Sequence, residues 1–326
     1  MPDLSVVIPE LQRNISSGYV ETLIQARREE LFTGLMRLHY PSGENLVFTF
    51  VEGVQQKLYR CLENSIDILP RHTWFHALDH PNTSVGFMKL PVEAMRFIQV
   101  AYEAPVVRME DATMIHENLT DAVARWAGEP NPCIVHLQTE KSNRYYLIAG
   151  HTPAIIEELS FAEGQARFSI GDTSFAKNLP AARYRMARFV SDCKHTVWRD
   201  YDLRLAFNPF VRILVHRFSE LAGRALTDRL CERLSLWARE EGWNIVVTGN
   251  GVLIRQYFDS LESAISVYAE LLRRYGEEAS LAIGARMVDG IARETLIKLD
   301  PYRRELLTQS IYSQFGVGNV TGVVWR

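Results

Sequence analysis

The spacing of apolar positions in this chain changes several times, and each change marks an element. Over 17–32, Val20, Leu23, Ile24, Leu31 and Phe32 recur near one face at helical spacing. Ser16 or Ser17 suits the cap of that helix, and Glu21 suits its first turn. After Gly34 the period falls to two. Residues 35–40 and 46–51 read as strands around the turn Pro41-Ser42-Gly43-Glu44, and 54–59 reads as a third strand after Glu52-Gly53. Residues 90–103 predict a short helix with Pro91 in its first turn and Ala94, Phe97, Ile98 and Ala101 as its apolar stripe. The stretch 110–127 also reads as helical.

The cluster Gly128-Glu129-Pro130-Asn131-Pro132 predicts a module boundary. Beyond it, 133–138 and 145–150 read as strands around Glu140-Lys141-Ser142-Asn143, with 153–159 and 165–168 extending the sheet. MRLHYPSGENLVF at 36–48 and VHLQTEKSNRYYL at 135–147 align without a gap. Either a divergent repeat or two unrelated hairpins built on the same strand–turn–strand logic accounts for that. Residues 179–198 read as a helix from Leu179, Ala182, Met186, Phe189 and Val190. The pattern over 207–241 is helical, with Asn208-Pro209 as cap and first turn and a break at Gly223. Strands at 243–247 and 252–257 flank TGNG at 248–251, where Asn250-Gly251 predicts a tight hairpin. Helices are expected over about 259–275, ended by Gly276, over about 277–297, and from Pro301. The tail GVGNVTGVVWR closes as a strand or packs Trp325 on the body. The class is α+β: antiparallel meanders packed with helices in two or three modules. The modules are 1–127, 133–203 and 207–326, the last mostly helical with one tight hairpin.

Composition adds bounds rather than function. The chain has 326 residues, 47% hydrophobic and 23% charged, which suits two or three globular domains. Its 36 basic and 39 acidic residues leave a net charge of -3, so no broad field favours nucleic acid or anionic lipid. Cys61, Cys133, Cys193 and Cys231 have no paired spacing, which argues against a disulfide framework or a cysteine-rich zinc site. The N-terminus lacks a signal-peptide pattern, and the apolar runs are too short to span a bilayer. A cytoplasmic protein is the expectation.

Four clusters carry possible chemistry. In RHTWFHALDH, His72, His76, Asp79 and His80 share one face if helical, and imidazoles so placed can bind a transition metal. The competing reading is a short amphipathic helix whose histidines face water. Asp192-Cys193-Lys194-His195 lacks the base and orienter of a cysteine nucleophile, unless the distant His136 or His151 serves, and reads as a helix end. GVGNVTG at 316–322 lacks the strand-to-helix context of a phosphate loop, and TGNG belongs to the hairpin. Arg183, Arg185, Arg188, Lys194 and Arg199 are interleaved with Tyr184, Phe189 and Trp198, a mixture found in nucleic-acid sites. Asp192, Asp200 and Asp202 dilute it, which favours an acidic partner surface or internal ion pairs. No motif calls for a cofactor or names a catalytic residue.

Residues 17–60 resemble the DUF4388 domains, also called PatA-type N-terminal domains. In these a helix leads into Thr-Gly-variable-Leu, then a strand, a turn, a strand, a glycine and a last strand. Thr33, Gly34, Leu35, Leu38, Gly43, Phe48, Phe50 and Gly53 occupy the matching places. VQQKLYR after Gly53 departs from the family's short basic or aliphatic strand. The resemblance implies a bacterial signalling or regulatory module that binds a partner without chemistry of its own. The expectation is therefore a non-enzymatic regulator that binds a protein partner or self-associates. The alternatives are a small-ligand or metal-binding sensor or enzyme with a site between modules, and a nucleic-acid-binding regulator.

Overall fold

In the computed structural model, which describes residues 4–62, 65–70, 83–149, 155–162, 164–256, 258 and 260–312, the expected strands of the first two modules pair with others into two antiparallel sheets. The first holds β1 (Glu10–Ile15), β2 (Gly34–His39), β3 (Asn45–Val51), β4 (Val54–Cys61), β5 (Ile66–Ile68) and β6 (Thr83–Lys89), in the order β1-β6-β2-β3-β4-β5. The second holds β7 (Val106–Ile115), β8 (Cys133–Gln138), β9 (Ser142–Ile148), β10 (Ile156–Ala162), β11 (Gln165–Gly171) and β12 (Arg183–Ser191), in the order β7-β12-β8-β9-β10-β11. The two orders coincide strand for strand. In each sheet a helix follows the first strand: α1 (Ser17–Glu29) in one and, after α2 (Ala94–Glu103), α3 (His116–Ala127) in the other.

Packing follows from which face each helix covers. Val20, Leu23 and Ile24 of α1 pack on Met36, Leu38, Phe48 and Phe50 of the first sheet. Leu119, Val123 and Trp126 of α3 pack on Val135, Leu137, Tyr146 and Met186 of the second. Residues 94–102 of α2 are all buried, although its sequence shows an apolar stripe on one side only. The helix contacts both β5 and β10, so each sheet covers part of it. Tyr102 of α2 lies 4.8 Å, ring to ring, from Tyr59 of the first sheet. Met1–Trp198 accordingly forms one compact unit. The break at 128–132 ends α3, with Gly128 at its C-cap. It lies inside the second sheet's connectivity, because β7 and α3 precede it.

The residues of the Thr-Gly and Glu-Gly pairs have a mechanical role. Thr33 Oγ1 accepts the Glu52 N–H at 2.9 Å, and the Gly53 N–H donates to Phe32 O at 2.8 Å. Gly53 has φ 80, and a Cβ there would sit 2.5 Å from Arg28 O, so only glycine fits between the β3–β4 turn and the end of α1. The second hairpin departs from the gapless alignment. His39 pairs with Asn45 but Gln138 pairs with Asn143, so its turn is one residue shorter.

Two expected helices contain strands. β12 replaces the helix of 179–198, and the stretch 110–127 is strand up to Ile115 and helix from His116. β12 lies between β7 and β8 and is buried on both faces from Met186 to Phe189, so Met186, Phe189 and Val190 imitate three-to-four spacing.

The second unit, Arg199–Arg326, is mostly helical. α4 (Thr196–Ala222) leads into it, followed by α5 (Arg224–Glu240), β13 (Ile245–Thr248), β14 (Gly251–Ile254), α6 (Leu261–Ile283), α7 (Ala285–Lys298) and α8 (Pro301–Ser310). Its core joins Phe207, Phe210, Leu214, Leu234, Tyr268 and Ile291, with Phe207 stacked on Tyr268 at 4.4 Å. The break expected at Gly223 is present. Asn208-Pro209, however, lies inside α4 and caps nothing. Asn208 Oδ1 instead accepts the Val252 N–H at 3.2 Å and anchors the hairpin to the helix. The hairpin turns at Gly249-Asn250, since Thr248 pairs with Gly251. Gly251, at φ 116, is required by the approach to α4: a Cβ there would meet Asn208 Oδ1 at 2.4 Å. Gly276 is buried within α6, and the helix stops at Gly284 instead. No helix among the described residues is long and apolar enough to cross a membrane.

Candidate functional site

One outer edge of the second sheet offers unpaired backbone. β7 is its terminal strand, and among the described residues nothing pairs with its free edge. A bulge interrupts it: Glu110 lies opposite Arg188 and Arg108 opposite Phe189, leaving Met109 without a counterpart. Beyond the bulge, Asp111, Thr113 and Ile115 lie opposite Ala187, Arg185 and Arg183 on one face of the sheet. Arg183, Arg185, Asp111 and Thr113 are exposed. Among the described residues neither Arg183 nor Arg185 has an ion-pair partner. Arg108 donates to Asp111 at 2.6 Å. Val107, Met109 and Ile115 are exposed apolar side chains on the same strand. His136 of β8 stacks on Tyr145 at 4.3 Å and shares a hydrogen bond with Asn143 Oδ1 at 3.0 Å. Burial pushes its imidazole pKa down; the Asn143 bond opposes this, and the charges of Arg185 and Arg108 push the same way as burial.

The opposite face of the same strands is closed by an internal ion cluster. Buried Arg188 donates to Glu110 at 3.0 Å and to Glu129, and its guanidinium lies 5.4 Å from the Trp126 ring. Burial pushes the neighbouring Cys133 thiol up to about 11 against the opposing pull of Arg188. That thiol stays protonated and is a poor nucleophile at neutral pH. A comparable hub stands at the end of α2. Glu103 accepts from Lys57 Nζ at 2.6 Å, Tyr59 Oη at 2.7 Å and Gln99 Nε2 at 3.2 Å. Both carboxylate hubs tie elements together.

A cleft of about 190 Å³ opens at β10–β11, lined by Arg144, Glu158, Ser169, Asp172, Ser174 and Phe175. Small-molecule sites usually enclose about 300 Å³ or more. Glu158 accepts from Arg144 at 2.7 Å and from Tyr146 Oη at 3.3 Å. Burial, with the charge of Glu158, holds the Tyr146 phenol well above its usual range. The carboxylate is engaged and the phenol stays neutral, so the cleft can hold a small polar group but presents no activated nucleophile.

The candidate metal residues His72, His76, Asp79 and His80 lie outside the described residues, as do His151 and the 316–322 loop. Among the described residues no cluster of potential metal ligands occurs. The Asp192–His195 stretch is a cap: Asp192 Oδ1 accepts the Lys194 N–H at 2.9 Å, and His195 Nδ1 accepts the Val197 N–H at 3.4 Å. Cys61, Cys133 and Cys231 are buried and Cys193 half-buried, all as free thiols. In the basic stretch, Tyr184, Phe189 and Trp198 are buried, so none offers a ring for a base to stack on. Sequence reading allowed internal ion pairs for the run that holds Arg188 but named neither its carboxylate partners nor the Glu158 cleft, because their members come from segments that meet only in the fold.

No protein-family model matches the chain, and no curated protein matches it. A crystal structure of the Helicobacter pylori beta clamp in complex with carprofen is 9% identical, covers 59% of this chain and 69% of its own, and has a TM-score of 0.13. At that score the likeness carries no argument.

Proposed function

We propose that this protein is a non-catalytic regulator that works by binding a protein partner. The observation that carries this reading is the free edge of β7, a ten-residue strand with its apolar Val107, Met109 and Ile115 in solvent. Exposed strand edges recruit extended segments through main-chain hydrogen bonds. The carboxylate hubs at Glu103, Glu158 and around Arg188 are engaged in internal bonds, in keeping with structural roles. The resemblance of 17–60 to PatA-type N-terminal domains points the same way, toward a bacterial signalling module. Cross-linking and light scattering of the full chain, with capture of partners from the source cell, test it. Recovery of a partner bound through β7, lost when β7 is disrupted, is expected. A strict monomer that retains nothing counts against it.

A further inference from the structure

The free edge of β7 carries charge information that narrows the partner. The bulge at Met109 separates the regular edge of residues 110–115 from the start of the strand. Along that segment the two residues of β12 nearest the edge on the exposed face are Arg185, opposite Thr113, and Arg183, opposite Ile115. Thr113 is short, so the Arg185 side chain can lie across it toward the edge. Both arginines are exposed, and neither has an ion-pair partner among the described residues.

We propose that β7 accepts an extended acidic segment of a partner protein as an added strand along residues 110–115, with Arg183 and Arg185 binding its carboxylates. This rests on the partner-binding reading above and names the chemistry of the partner. Neighbouring strands lie about 4.8 Å apart, so the added strand would sit about 10 Å from β12. An arginine from one side and a glutamate from the other span that gap. Arginine forks match carboxylates in a bidentate way, which favours an acidic occupant over a neutral one.

Two other occupants fit less well. A second copy pairing through its own β7 would bring Glu110 and Asp111, but Arg188 already holds Glu110 and Arg108 already holds Asp111. Neither is free to meet Arg183 and Arg185. A nucleic acid would find cations without stacking rings, because Tyr184, Phe189 and Trp198 are buried.

The test uses the full chain at low salt, with fluorescence anisotropy of three labelled probes: a ten-residue peptide alternating Thr and Glu, its Thr–Lys counterpart, and a ten-nucleotide oligothymidine. The Glu peptide is expected to bind and the Lys peptide not to. R183E/R185E is expected to weaken binding by about tenfold or more, and R183Q/R185Q by less. Saturation with the Glu peptide is expected to slow amide exchange in residues 110–115. Circular dichroism checks the fold of each variant, and the glutamine pair serves if the reversal does not fold. The proposal is overturned if the Lys peptide binds equally, if neither double variant weakens binding, if oligothymidine binds more tightly through the same arginines, or if β7 gains no protection. A chain that holds a partner in solution yet ignores the Glu peptide overturns this proposal alone. A chain that does neither overturns the partner-binding reading with it.

Discussion

The first and second sheets share one strand order and differ at their leading edges. In the first, β1 meets β6 at Glu10, Gln12 and Ile15 with register shifts between them. There the chain presses so closely that a Cβ at Gly86 would lie 2.1 Å from Pro9 O. In the second, β7 pairs with β12 from Val106 to Ile115 with a single shift. Irregular edges resist added strands and regular ones accept them. Topology therefore decides where an edge lies, and local side chains decide whether it is usable. The helix-on-sheet contact shows the same freedom. Arg27 of α1 lies over Phe87 of β6 at 4.7 Å, whereas Trp126 of α3 lies against Arg188 of β12 at 5.4 Å. Phe87 pairs with Met36 and Arg188 with Val135, positions matched in the two hairpins. Cation and ring have exchanged sides.

Core truncation tests the comparison hardest. Phe48→Ala in the first sheet and Trp126→Ala in the helix packed on the second are each expected to cost about 3–5 kcal/mol in urea unfolding. Because α2 is buried by both sheets, either change is expected to lower hydrogen-exchange protection in both. Loss confined to one sheet would break the view of residues 1–198 as a single cooperative unit.

The next effect contrasts this two-sheet unit with the helical one. Burial pushes the Asp202 carboxyl up to about 6, against the hydrogen bond from Tyr302, at 2.7 Å, and the charge of Arg303. Its folded pKa exceeds the unfolded value, so its contribution is present below about pH 4 and is lost as pH rises through 6. Asp202→Asn can still accept from Tyr302. It is expected to raise stability by about 3 kcal/mol above pH 7 and by almost nothing near pH 4, read from melting curves across that range. A matching shift in the two-sheet unit would show that the units unfold together.

Arg188→Met is expected to cost about 2 kcal/mol, since it strands Glu110 and Glu129, each about a third exposed and so partly screened. A cost near zero in chemical denaturation would mean that water serves these carboxylates as well as Arg188 does. Smallest is the ring–cation coupling. Double-mutant cycles on Arg27 with Phe87 and on Arg188 with Trp126 are expected to give about 0.5–1 kcal/mol each. Coupling in one sheet alone would show that the exchanged pairs are not equivalent.

The sequence by itself determined the elements whose partners are near in the chain. The β2–β3 and β8–β9 hairpins, the stripe of α1, the break at Gly223 and the β13–β14 hairpin follow from period and turn chemistry within a few residues. Tertiary structure alone decided the rest. β12 is a strand because β7 and β8 flank it, and β7 is a strand because β12 pairs with it; β7 has no alternation of its own, and that of β12 stops at Met186. α2 reads as one-sided, yet two sheets bury it. The basic run reads as a partner surface or as internal ion pairs, and only the fold divides it: Arg188 is buried between Glu110 and Glu129, while Arg183 and Arg185 are exposed. The physical reason is the same in each case. Local periodicity records which way a side chain points, but pairing and burial depend on segments tens of residues away, and no local pattern records who those neighbours are.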